Sequence, residues 1–258
     1  MRLDQVHMVI SVAADSSLPL YAGPAMDKIS KQGQGRLVRP NLPDSAAPEL
    51  PRLAIQLKDA VLQLGNNRIE LIARPPSHVA KSYESAMEFS FSLAKKLFTE
   101  LLEDIQAKPQ FLWSGVISTV YFPRAIGERA ARAKRMSAVL DTANQILNVN
   151  LNKETLHLAG FTLNLGYMRS GYFVNYNISE YEIKTGMLSL PPGASVSIDI
   201  EKVPRNELGI SLVIDVNSRP LQQAKRKSPM ENLFETLRHN KKAFQRYPQD
   251  IGLTGALQ

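Results

Sequence analysis

The stretch that most constrains the fold is residues 194–244, which reads as strand, hairpin, strand and helix. In 195–201, Val196, Ile198 and Ile200 alternate with Ser195, Ser197, Asp199 and Glu201. In 210–217, Ile210, Leu212, Ile214 and Val216 again take every second position. Period-two alternation marks strands with one apolar and one polar face. Pro204, Arg205, Asn206 and Glu207 between them carry turn chemistry, so the two strands are expected to pair as an antiparallel hairpin. A helix is then expected to open at Ser228-Pro229-Met230-Glu231. Serine at the cap, proline at the first helical position and glutamate three residues after the cap form a capping box. Met230, Leu233, Phe234, Leu237 and Phe244 recur at helical spacing and would lay one face over the sheet.

The rest of the chain supplies more of the same elements. Residues 2–13 read as a strand with Val6, Met8, Ile10 and Val12 on one face. A short helix is expected over 24–32, a short strand over 36–39, and strands over 53–57, 61–64 and 68–73. The last two are joined by the tight-turn sequence Gly65-Asn66-Asn67. The longest helix covers 81–105, with Met87, Ala94, Leu97, Phe98, Leu101, Leu102 and Ile105 as its buried stripe, and Lys108-Pro109 ends it. Residues 111–122 are apolar on both sides and are expected to be central in their sheet. A helix over 126–147 follows, then strands over 154–165 and 171–183 joined through 166–171.

This order predicts an α+β fold made of two similar β-α-β(3-4)-α units. Residues 1–107 form the first unit, 108–247 the second, and 248–258 a tail. Their curved antiparallel sheet would carry the helices on one face. The arrangement resembles, in topology alone, the duplicated saddle of the TATA-binding protein fold. It implies nothing about function by itself.

Charge separates the two units. Residues 1–107 carry 12 basic and 12 acidic side chains, leaving 19 and 12 for 108–258, so the whole net charge of +7 lies in the second part. Such asymmetry points to a negatively charged partner, although solubility alone also accounts for it. No apolar run approaches the roughly 20 residues that span a bilayer, so no membrane is expected. The chain has no cysteine, which excludes disulfides, thiolate metal sites and cysteine nucleophiles. The N-terminal sequence is a poor signal peptide, and a cytoplasmic location is expected.

Several short segments resemble those of a sporadically distributed bacterial family with no assigned activity. They are 61–71 followed by Tyr83, then 116–122, Leu212-Val213-Ile214-Asp215-Val216, and Leu237-Arg238-His239-Asn240 with Phe244. Where that family has a second aspartate after its LVID strand, this chain has Asn217. The resemblance implies no activity, cofactor or catalytic residue.

The residues that could carry chemistry are few. The four histidines, His7, His78, His157 and His239, have no metal-binding spacing. No phosphate-binding glycine loop or GxSxG elbow is present, and no cofactor is expected. Asp199, Glu201 and Asp215 would share the polar face of the expected hairpin, with Asp199 near Asp215. Carboxylates that close share a proton or bind a divalent cation, which gives a metal-dependent hydrolase as a third reading. The plainer reading, which takes precedence, is a solvated sheet face neutralised by Lys202 or Lys184.

The basic candidates are stronger. Arg124, Arg129, Arg132, Lys134 and Arg135 stand against one acid at the start of the expected helix 126–147. Arginine in a first turn opposes the helix dipole, so a purely stabilising role is less natural. Arg219, Lys225, Arg226 and Lys227 form a second cluster. A third, Arg238, Lys241, Lys242 and Arg246, lies at a helix C-terminus, where the dipole favours cations. Trp113, Tyr121, Tyr172, Tyr176 and Tyr181 fall in expected strands, with Phe111, Trp113 and Tyr121 on one face. Aromatics on an open sheet stack bases, or simply pack the core. The leading expectation is therefore a non-enzymatic protein that binds an anionic partner, most plausibly nucleic acid, through the first two clusters. The alternative is a protein partner or a homo-oligomer.

Overall fold

The structure is a computed structural model that describes residues 1–43, 45–105, 109–124, 162–184, 205–221 and 228–245. The alternating strands assemble into one antiparallel sheet. In chain order the strands are β1 (Arg2–Val12), β2 (Arg36–Val38), β3 (Leu53–Gln56), β4 (Ala60–Leu64), β5 (Arg68–Ala73), β6 (Phe111–Arg124), β7 (Thr162–Arg169), β8 (Tyr172–Lys184) and β9 (Arg205–Asn217). Their spatial order is β2-β3-β4-β5-β1-β6-β9-β8-β7. Each half thus places its last strand beside its first, β5 beside β1 and β9 beside β6, and the two first strands pair with each other. β6 is interior, as its two-sided apolar character requires.

Three helices are described: α1 (Leu18–Gln32), α2 (Tyr83–Asp104) and α3 (Pro229–Gln245). They form one layer, α2 touching both others, and α3 lies on β6, β9 and β8. Val6, Met8, Ile10 and Val12 are buried as their alternation predicts, in one continuous core with Leu97, Phe98, Leu101, Leu212, Ile214 and Leu233. Each fully buried aliphatic side chain in such a layer contributes about 2 kcal/mol. No described helix is long and apolar enough to cross a membrane.

Local signals placed the helix starts. Ser228 Oγ accepts from Glu231 N at 3.2 Å, and Ser228 N donates back to Glu231 Oε2 at 3.1 Å, which closes the expected capping box. Ser82 Oγ accepts from Ser85 N at the start of α2. α1 begins at Leu18 rather than at 24, with Pro24 inside it. Proline there removes one backbone bond, to the carbonyl of Leu20. That residue is 76% exposed, so water can satisfy the orphaned group.

The second half departs from the expected strand pairing. β9 begins at Arg205, so Arg205, Asn206 and Glu207 are strand and not turn. β6 and β8 pair with its two edges, Ile214 lying between Ser118 and Tyr176. A strand has only two hydrogen-bonding edges, so the expected hairpin between 195–201 and 210–217 is not the pairing that forms. β7 and β8 instead make the hairpin, and their turn is Ser170-Gly171 alone rather than 166–171. Both residues have positive φ, 51° and 82°, as the tightest two-residue turns require. The expected helix 126–147, the strand 195–201 and the tail 248–258 lie outside the described residues.

A candidate binding face on the open side of the sheet

Alternation along each strand sends one set of side chains beneath the helices and the other to the opposite face. In β9 the buried set is Ile210, Leu212, Ile214 and Val216. Gly209, Ser211, Val213, Asp215 and Asn217 therefore point the other way. The registers extend this face sideways. Asp215 lies between Ile117 of β6 and Asn175 of β8, and Asn217 between Gly115 and Phe173. Asn177 pairs with Asn164, so amides, hydroxyls and aromatics dominate this part of the face.

At one end of β6, the Arg219 guanidinium carbon sits 4.1 Å from the centroid of the Trp113 ring, a close cation–π contact. The Trp113 ring in turn lies over Gly115, where a Cβ would come within 3.1 Å of Cζ3. Nearby, Glu70 Oε1 is 2.6 Å from Arg68 Nε, and Glu70 Oε2 is 3.4 Å from His7 Nε2. At the other end, Arg2 grips Glu207 through both terminal nitrogens at 3.1 and 3.3 Å. Tyr181 donates to the same carboxylate at 2.8 Å, and the Tyr121 and Tyr181 rings are 4.6 Å apart. Burial, and then the Glu207 carboxylate, pushes the Tyr181 phenol up.

Asp215 is the one described member of the acidic set. Burial holds its carboxyl above the usual range, against the opposing effects of a hydrogen bond from Asn217 and the charges of Arg219 and His7. Asp199 and Glu201 lie outside the described residues. Asp215's ladder neighbours are Ile117 and Asn175, so Asp199 is not paired with it. Among the described residues no group of three acids or histidines could hold a metal.

Of the basic candidates, Arg219 is exposed in a short 3-10 turn after β9, on the Trp113 ring. Arg124 ends β6, its backbone opposite Leu208. Arg129, Arg132, Lys134, Arg135, Lys225, Arg226 and Lys227 lie outside the described residues. In the third cluster, Lys241 is ion-paired to Glu84 and so ties α3 to α2. Arg238 lines a surface cleft with Glu231, Phe234 and Glu235.

The aromatic set divides between the two faces. Trp113, Tyr121 and Tyr181 lie on the open face. Tyr172 and Tyr176 lie under α3, with Tyr172 donating to Glu235 at 3.1 Å and Tyr176 to the Ala243 carbonyl at 2.7 Å. Phe111 does not share the Trp113 face, because a register shift pairs it with the core residue Val12 and it packs on the core. The sequence reading passed over Phe173. Its parity in β8, one residue from buried Tyr172 and Val174, is the signal that places it on the open face.

The segments that resemble the bacterial family meet in the core. Tyr83 of α2 hydrogen-bonds Asn240 and stacks on Phe244 at 3.8 Å. No protein-family model matches this chain, and no curated protein is similar to it. That resemblance therefore rests on these residues alone.

Proposed function

We propose that the protein is a non-enzymatic binding protein that engages an anionic partner, nucleic acid, through the basic second half and the adjoining open sheet face. The observation that carries this reading is Arg219. It is exposed, it lies flush with the only tryptophan, and among the described residues no carboxylate lies within ion-pair distance of it. A guanidinium held on an aromatic face keeps its charge and its donors available to phosphate. Lys225, Arg226 and Lys227 follow it in sequence, and Arg124 ends β6, with Arg129, Arg132, Lys134 and Arg135 following in sequence.

Fluorescence anisotropy with labelled DNA and RNA at two salt concentrations tests this. Affinity should fall steeply with salt, the slope counting the phosphates neutralised. Arg219→Gln should shallow that slope by about one phosphate. No binding at low salt would leave the positive second half as a solubility device or a protein-docking surface.

A further inference from the structure

The two edges of the sheet are built differently. β2 is three residues long, carries Arg36 and is followed closely by Pro40, features that protect an edge against pairing with another chain. β7 is eight residues long and pairs with β8 in unbroken register from Thr162 to Arg169. It holds no proline, no bulge and no charge before Arg169. Among the described residues no strand pairs with its outer side. Met168, 53% exposed, is the most exposed large apolar side chain on any described strand.

The β7–β8 turn fixes which backbone groups are free. Ser170 and Gly171 make a two-residue hairpin, so Arg169 and Tyr172 exchange both backbone hydrogen bonds, and such pairs alternate along the ladder. Leu165 and Tyr167 therefore direct N–H and C=O at β8. Thr162, Asn164, Gly166 and Met168 direct theirs outward, and all four residues are exposed.

We infer that this edge pairs with the same edge of a second copy of the chain, antiparallel about a two-fold axis through Leu165. In that register Thr162 meets the partner's Met168 and Asn164 meets the partner's Gly166. Every outward N–H and C=O is then bonded, whereas a shift by two residues either way leaves some unpaired. Both copies keep their open faces on one side. Half-buried Leu165 meets its own copy on the helix side, where it packs on the core, so the core continues across the edge. Gly166 leaves room for the Asn164 amide. Like charges do not meet, because the two copies of Arg169 stand eight residues apart along the pair, about 27 Å. A contact of this isologous kind closes after two chains.

This inference does not rest on the nucleic-acid reading, but it bears on it. β7 edges the positively charged half of the chain, so the dimer sets two such halves side by side.

Sedimentation velocity of the full, nuclease-treated chain over a range of concentrations tests this. One strand pair is a small interface, so the dimer should build up at concentrations on the order of 100 µM. It should survive raised salt, which screens the repulsion between two chains of net charge +7. Association bridged by nucleic acid would instead be lost. Asn164→Pro removes an outward donor and no bond to β8, so it should weaken dimerisation on the order of tenfold while the melting temperature holds. Asn164→Ala keeps the N–H and should dimerise normally. The chain has no cysteine, so Leu165→Cys gives a second readout that needs no proline. Facing its own copy across the axis, that position should form a disulfide-linked dimer on mild oxidation, and Leu50→Cys should not. A chain that stays monomeric throughout, association that a folded Asn164→Pro leaves intact, or absence of the Leu165→Cys link would each overturn the inference.

Discussion

The Tyr83 phenol donates a 2.8 Å hydrogen bond to Asn240 Oδ1, joining α2 to α3 across 157 residues of sequence. Ser118 of β6 donates to the same oxygen at 2.9 Å. Asn240 Nδ2 donates to the carbonyls of Val116 and Ile214, both at 3.0 Å, and so bridges β6 and β9 from above. A fully buried amide with every group engaged pins one helix at one register on the sheet. Burial also raises the Tyr83 phenol, so it remains a neutral donor.

Truncating the two partners should have unequal effects. Tyr83→Phe keeps the Phe244 stack and leaves Ser118 on Asn240, so about 1 kcal/mol is lost. Asn240→Ala removes the acceptor of two buried hydroxyls and both bridges to the sheet, with a loss of roughly 3 kcal/mol. Urea denaturation of both variants measures this. A smaller loss for Asn240→Ala would show that water replaces the amide.

Among the described residues, Ser228 makes only capping contacts, at an exposed position. Ser228→Ala should therefore destabilise by about 1 kcal/mol, and Ser228→Asp should retain most of the stability. Hydrogen exchange should place the loosening in the first turn of α3 and nowhere else.

Glycines on the open face should not respond alike. A Cβ on Gly209 would lie 2.2 Å from the Phe122 carbonyl oxygen, in backbone of the adjoining strand that cannot yield. Gly209→Ala should cost about 1–3 kcal/mol through overpacking. Gly166→Ala meets only side chains, the Phe173 ring at 3.0 Å and Asn175 Oδ1 at an ordinary 3.7 Å, and should cost less. Melting temperatures of the two variants compare them directly.

Asp215 should make stability fall as pH rises through its folded value. Its folded pKa lies above the unfolded 3.8, so its contribution is full below 3.8 and is lost as the half-buried carboxyl ionises. Asp215→Asn should therefore melt higher than the parent at neutral pH, and the two should converge in acid. Arg219 and His7 oppose the effect, so the gain is modest.

His239 should act in the opposite direction. Burial, then Lys242, lowers its pKa below 6.5, while Glu235 pulls the other way. Its neutral ring stacks on Tyr172 at 4.0 Å between centroids. The contribution is full above pH 6.5 and declines as pH falls through the folded value. Melts of His239→Gln across this window should show a flatter profile than the parent.

Much of the candidate face was legible in parity alone. The alternation in β9 separated Asp215 from Ile214, and the aliphatic character of β6 marked it as interior. Phe111 escaped that logic because a bulge against β1 reversed its side, and a one-residue shift leaves no trace in composition.

The sequence by itself determined the elements and their faces. Val6, Met8, Ile10 and Val12, the stripe of α2 and the Ser228 cap depend on neighbours a few residues away, so local chemistry specifies them. Only the tertiary structure decided which strands meet. The edges of β9 could have paired with any alternating segment, and nothing within 205–217 says that β6 and β8 take them. It also decided that Asn240, polar in an apolar stripe, is buried beneath Tyr83 and above β6 and β9. Hydrogen-bond partners far apart in sequence are chosen by the packing of the whole sheet, because each polar group buried in the core must find its partner there.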